Sequence, residues 1–300
     1  MCGLPFRRCG KCASCHGPEG YQQYCPNIEG HLGVTVDGAF AEYLICDGRE
    51  SSKLPDAMSF ETAAPLACAG CTVYRGVVQA GLKKGQWLGI VGSGGGLGHL
   101  GIQFAKAMGL KVVGVDARDE GLELSKKEGA DVVVDARKEK NEVVKEVQNA
   151  TGGEGVDATV NVSDAKSAAA TAAAITRIHG KLVQIAQVSR GANQDQSAFY
   201  EDTANWRMEQ PDEISFPMRE FIFRDIRVEG SLICSRGQAQ QMLQMVVDHN
   251  ISVKKNVFHG LNKIPELVEF AHAGKMQGKG VVIVDEQALK KERESGLKMV

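Results

Sequence analysis

The chain has 300 residues and a formal net charge of −2, with 43% hydrophobic and 24% charged residues, an ordinary globular balance. That balance argues against a nucleic-acid or membrane-surface partner, and no apolar run reaches the ~18–20 residues that a membrane span needs. The first residues lack the basic start and apolar core of a signal peptide. A reducing, cytoplasmic location is therefore expected, and the nine cysteines point to metal ligation rather than a disulfide framework.

Residues 1–30 are rich in Cys, Gly and Pro and show almost no apolar periodicity. Cys9, Cys12, Cys15 and Cys25 follow the pattern C-x2-C-x2-C-x9-C. Two-residue gaps let successive thiolates converge on one ion, and four thiolates make a closed tetrahedral zinc site of structural type. Metal binding would also order a loop that has no core of its own. An iron–sulfur cluster or a redox pair remains the alternative. Cys2 has no evident partner, and His16 is read as a loop residue.

Residues 31–85 combine a β-like run, Ala39–Ile45, with a small-residue helical stretch at Glu61–Gln79. Residues 86–231 alternate short apolar runs with helical segments. Trp87–Val91, Lys111–Val115, Asp131–Val134, Asp157–Val162, Lys181–Ile185 and Asp225–Val228 read as buried strands. Leu97–Met108 reads as a helix stopped by Gly109, Glu120–Lys127 as one ended near Gly129, and the alanine-rich Ala165–Ile178 as one ended by Gly180. This alternation predicts an α/β fold, a doubly wound parallel six-stranded sheet with helices on both faces. Residues 187–218 break the rhythm and read as a functional or interface excursion. Residues 232–300 hold two helix-like segments, one strand and a charged tail from Asp285.

The run Val91-Gly92-Ser93-Gly94-Gly95-Gly96-Leu97-Gly98 follows a strand and opens a helix. A pyrophosphate can approach a helix N-terminus only where no side chain blocks it, and free N–H groups and the helix dipole then hold its charge. Gly98 lets the helix pack close on the sheet. The next strand leads to Asp116, where a ribose hydroxyl pair is read. A carboxylate there repels a 2′-phosphate and favours NAD over NADP, a preference that Arg118 could soften. The alternative is a tight turn and a surface aspartate without a ligand.

Four stretches together resemble the zinc-containing alcohol dehydrogenases of the tetrameric fungal and bacterial type, within the medium-chain dehydrogenase family. They are the Cys9–Cys25 cluster, Val36–Tyr43, Ala63–Gly70, and the turn Gly92–Gly98 with Lys106-Ala107-Met108-Gly109. The resemblance implies a Rossmann domain at 71–231, a partial GroES-like catalytic domain with a structural zinc lobe at 1–70, and a return to that domain at 232–300. It implies NAD and Zn²⁺ as cofactors, a small alcohol or aldehyde as substrate, and a homo-oligomer, dimer or tetramer. Cys9, Cys12, Cys15 and Cys25 match the structural zinc ligands, the last gap being two residues longer than the usual seven. Cys68 matches the third protein ligand of the catalytic zinc, whereas Cys71 matches nothing and reads as packed.

Gly92, Gly94, Gly95, Gly96, Leu97 and Gly98 match the pyrophosphate turn, and Asp116 the ribose contact. Gly121 stands where some relatives carry an adenosine-contacting lysine. Ile185, Ala186 and Gln187 end the strand whose backbone faces the nicotinamide. In the family the first two catalytic-zinc ligands, a Cys and a His, and the proton relay lie upstream of the structural lobe. No such Cys and His pair precedes Cys9, so the expectation is an N-terminally truncated version, with one tightly bound zinc and impaired alcohol oxidation. His31, His99, His179, His249, His259 and His272 occur singly and read as surface or core residues, with His99 a candidate phosphate contact. A non-catalytic NAD-binding subunit and a zinc-independent quinone-reductase-like protein are the rival readings. The cysteine cluster argues against the second.

Overall fold

The computed structural model describes residues 1–187, 215–274, 276–295 and 300. The chain divides into two compact units. Of the described residues, 1–71 and 232–300 belong to one, and 72–187 and 215–231 to the other.

The first unit opens with β1 (Pro5–Phe6), antiparallel to β2 (Gly30–His31). Between them lie the four-residue helix α1 (Ala13–His16) and a 3-10 turn at Gln22–Tyr24. The expected strand at Ala39–Ile45 does not form. Strand propensity describes fit to a half-buried pleated surface, and no described strand pairs with this run. Phe40, Tyr43 and Ile45 are exposed. Ser59 then caps α2 (Phe60–Pro65) by accepting from the Thr62 N–H. The helical path continues through a single π turn, Leu66–Gly70, into α3 (Cys71–Gln79). The expected helix Glu61–Gln79 is thus three segments, and Pro65, which has no N–H to give, sits at the first junction.

The second unit is built on β3 (Trp87–Val91), α4 (Gly98–Ala107), β4 (Lys111–Asp116), α5 (Asp119–Lys127), β5 (Val132–Asp135), α6 (Lys140–Ala150), β6 (Val156–Asn161), α7 (Ala168–Ile175), β7 (Thr176–Gln184), α8 (Met218–Ile222) and β8 (Arg227–Gly230). The strand order is β5-β4-β3-β6-β7-β8, every neighbouring pair parallel. This is the doubly wound Rossmann order, with its switch point between β3 and β6. Alternate residues serve opposite faces, as the pleat requires. Leu88, Ile90, Val112 and Val160 pack with Val77 of α3 and Ile102 of α4. Val113, Val115 and Val134 pack with Val143 of α6 and Ala172 of α7.

The six expected strands all exist, displaced by one or two residues at some ends, except that β7 begins at Thr176, five residues before the expected Lys181. One local expectation fails. The alanine-rich helix stops at Ile175, not at Gly180, which lies within β7. Thr176 ends it: its hydroxyl reaches the Ala172 carbonyl at 2.7 Å and the Thr159 hydroxyl at 2.7 Å, tying the β-branched residue to the sheet. The interval after β5 holds α6, whose Val143 and Val147 are buried at helical spacing. Most of the polar excursion, 188–214, lies outside the described residues.

The chain then returns to the first unit with α9 (Arg236–Asp248), β9 (Lys255–His259), α10 (Ile264–His272), β10 (Lys279–Ile283) and α11 (Glu286–Glu294). A full capping box of Ser235 and Gln238 starts α9. β9 and β10 pair in parallel, two strands where one was expected. The charged tail is helical from Glu286, capped by Asp285. Among the described residues no helix is long and apolar enough to cross a membrane.

Candidate functional site

β3 ends at Val91, and Gly92 turns the chain with φ +85°, a conformation that side chains disfavour. The turn then folds back on itself. A Cβ on Gly98 would lie 2.2 Å from the Gly92 carbonyl oxygen, and one on Gly94 would lie 2.1 Å from the Gly121 oxygen. Gly95 donates its N–H to the Gly92 carbonyl at 3.1 Å, which tightens the bend. The N–H groups of Gly96, Leu97 and Gly98 meet no acceptor among the described residues. Three consecutive orphan donors thus stand at the start of α4, where the helix dipole is positive. That is the donor set and the side-chain-free approach a pyrophosphate requires, so the turn fits a dinucleotide.

Asp116 ends β4, and its side chain is only 4% exposed. Its Oδ2 accepts the Gly94 N–H at 2.9 Å, and its Oδ1 accepts the N–H groups of Ala117 at 2.9 Å and Arg118 at 3.1 Å. The carboxylate is thereby fixed beside the glycine turn, as a group that reads ribose must be. Arg118 Nε lies 3.4 Å from Oδ1. A second brace lies beneath: the Ser93 and Ser125 hydroxyls meet at 2.6 Å, and Ser125 donates to the Gly121 carbonyl at 2.7 Å. Gly121 therefore has a positive role. A Cβ there would lie 2.3 Å from Asp116 Oδ1, so the bare backbone gives the carboxylate its place.

In the other unit, Cys9, Cys12, Cys15 and Cys25 bring their Sγ atoms within 4.8 Å of one another. Cys9 and Cys25 are 3.6 Å apart, Cys12 and Cys25 3.7 Å, and Cys9 and Cys15 4.0 Å. Four sulfurs around one zinc at ~2.3 Å stand roughly 3.8 Å apart, so the four fit a tetrahedral ion. Local structure does the positioning. Cys12 precedes α1 and Cys25 follows the 3-10 turn, which takes up the long nine-residue gap. The Lys11 N–H, with help from Cys12, holds the Cys9 thiol down to about 6, and burial pushes Cys25 up to about 12. Among the described residues this is the one group of three or more such side chains that could hold a metal ion. All nine cysteines are free of disulfides.

The family model for zinc-binding dehydrogenases matches residues 96–248. An alcohol dehydrogenase of Geobacillus stearothermophilus is 32% identical over 285 residues, covering 94% of this chain and 75% of that protein. The chain belongs to the zinc-binding dehydrogenase family. An alcohol dehydrogenase of Schizosaccharomyces pombe is 38% identical over 177 residues, covering 59% of this chain and 49% of that protein. Among solved structures, an alcohol dehydrogenase of the archaeon Aeropyrum pernix superposes with a TM-score of 0.77 at 28% identity, over 94% of this chain and 75% of that one.

The remaining family positions can be placed one by one. Cys68, matched above to a catalytic-zinc ligand, presents an exposed thiol on the π turn Leu66–Gly70. Single π turns in helices recur at functional sites, and this one was not foreseen from the sequence. Cys71 is buried, and the Cys234 thiol donates to its carbonyl at 2.9 Å. Ile185, Ala186 and Gln187 lie just beyond β7 rather than in it, because β7 ends at Gln184. The N–H groups of Ile185 and Ala186 both donate to the Asn161 carbonyl, at 3.1 and 3.2 Å. His99 is fully buried, with Nδ1 2.9 Å from the Gly95 carbonyl. It braces the turn from within α4 as a core residue, rather than reaching out as the candidate phosphate contact. His16 is the last residue of the short helix α1 rather than part of a loop, and it lies outside the cysteine group as expected.

Proposed function

We propose that the chain is a NAD-dependent alcohol dehydrogenase, interconverting a small alcohol and its aldehyde or ketone. The observation that carries this reading is the turn 92–98, with three free N–H donors above a buried, fully oriented Asp116. The donors take the pyrophosphate charge, and the Asp116 carboxylate accepts from the ribose hydroxyls. The backbone at Ile185 and Gln187 borders the nicotinamide. Bound NAD supplies a hydride acceptor in the forward direction and a donor in the reverse. Cys9, Cys12, Cys15 and Cys25 hold a structural zinc, which orders the segment between β1 and β2.

Cys68 is the one described residue matched to a catalytic-zinc ligand, and such an ion generally takes three protein ligands. The described residues do not by themselves build that site. A homo-oligomer, dimer or tetramer, in the cytoplasm is the setting that the resemblance and the free thiols favour. The relatives, named as alcohol dehydrogenases, do not favour a non-catalytic NAD-binding subunit or a quinone reductase. Metal analysis of the purified chain, with NADH-dependent reduction of acetaldehyde and of a quinone run in parallel, tests the reading. Zinc in the chain and slow reduction of acetaldehyde, with none of the quinone, are expected. Reduction of the quinone alone overturns it.

A further inference from the structure

The tripeptide Asp-Ala-Arg ends two neighbouring strands, as Asp116-Ala117-Arg118 after β4 and as Asp135-Ala136-Arg137 after β5. The two aspartates are register partners in the parallel sheet, and the Ala136 N–H donates to the Asp116 carbonyl at 2.9 Å. The second turn therefore flanks the first on the side away from the switch point, where the adenosine end of a dinucleotide must run once Asp116 holds its ribose. In each turn the aspartate Oδ1 accepts the N–H of the arginine two residues on, at 3.1 and 2.9 Å. The arginines differ. Arg118 is held only loosely, by its 3.4 Å contact. Arg137 is clamped: Nε reaches Asp135 at 2.9 and 3.0 Å, and Nη2 reaches Asp135 at 2.7 Å and Asp119 at 2.7 Å.

Every N–H on the Nε and Nη2 side of that guanidinium is thus committed to a carboxylate. Asp116, Arg118, Asp119, Asp135 and Arg137 together leave a net negative rim. We infer that Asp119 and Asp135 are positioning residues that set cofactor choice by holding Arg137 away from the ribose, so that a 2′-phosphate meets carboxylates rather than a guanidinium. This rests on the dinucleotide reading above and deepens it. Without the clamp Arg137 becomes one of two arginines beside the 2′ position, and a guanidinium fork is well suited to bind a phosphate.

The test is fluorescence titration of the full chain with NADH and with NADPH. It compares the unaltered protein, Asp119→Asn/Asp135→Asn, and the same pair with Arg137→Ala. Asparagine at 135 keeps an acceptor for the Arg137 N–H, and Asp116 is untouched. The ratio of the NADPH to the NADH dissociation constant is expected to fall roughly tenfold or more in the double variant, like-charge repulsion being replaced by attraction. Adding Arg137→Ala is expected to return it to within about twofold of the starting value. A purely structural role for the aspartates would weaken both nucleotides together and leave the ratio alone. An unchanged ratio in the double variant, or a fall that survives Arg137→Ala, overturns the inference. Failure of the unaltered chain to bind either nucleotide overturns the dinucleotide reading and the inference with it.

Discussion

Gly121→Ala is expected to destabilise the chain, although the same exchange within an ordinary helix stabilises it by about 1 kcal/mol. Gly121 is the third residue of α5, where its φ is compatible with any residue. The obstacle is local: the new Cβ would lie 2.3 Å from Asp116 Oδ1 and 2.5 Å from Cγ. The carboxylate must rotate away and give up the N–H groups of Gly94, Ala117 and Arg118. At about 1 kcal/mol net for each, the loss is roughly 3 kcal/mol, which exceeds the helix gain and leaves a net cost of about 2 kcal/mol. Urea unfolding reads the stability, and NADH titration reads the displaced ribose acceptor. The double-mutant cycle isolates the cause: in an Asp116→Ala background the same exchange should stabilise by about 1 kcal/mol. Stabilisation by Gly121→Ala in the otherwise intact chain, with NADH binding retained, would refute the reasoning.

Cys25→Ser should abolish the tightly bound zinc and open the 1–31 segment to protease while leaving NADH binding in place, since metal binding contributes the order of that loop; metal analysis and limited proteolysis read both, and retention of a stoichiometric ion would contradict the four-thiolate site. With zinc bound, Cys9, Cys12, Cys15 and Cys25 should resist iodoacetamide, and removal of the ion should open all four to alkylation, which peptide mapping reads; equal labelling with and without the ion would contradict the shared site. Asp47 and Asp135 are held at about 2, chiefly by side-chain hydrogen bonds from Arg49 and Arg137. Their folded values lie below the unfolded ~3.9, so their contribution is complete above about pH 4 and is lost as pH falls towards 2. The urea midpoint should therefore decline across that window, and a midpoint rising there would contradict the two pairs.

The centre of the Rossmann sheet was legible because β3 and β4 are buried along nearly their whole length and so read as apolar runs rich in Val. Helix ends were less so. Gly180 looked like a stop, but Thr176 ended the helix through hydroxyl contacts to Thr159 and Ala172 that become neighbours only in the fold. Ala39–Ile45 shows the opposite error, a run with strand character that has no partner strand. The cysteine group was visible because two-residue gaps already fix three of the ligands. Closing the nine-residue gap to Cys25 needed the 3-10 turn. Around the cofactor turn, Asp116 was found by its distance from the glycines. Gly121, by contrast, registered only as a departure from relatives, because its clash partner is five residues away in sequence but adjacent in space. The clamp on Arg137 was hidden for a similar reason: it joins the turn after β5 with the start of α5.

The most direct test of dinucleotide binding is calorimetric titration of the purified chain with NADH and NADPH. Saturable binding of one NADH per chain, at least about tenfold tighter than NADPH, is the expected result for a turn backed by Asp116. No saturable binding of NADH, or tighter binding of NADPH, would contradict it.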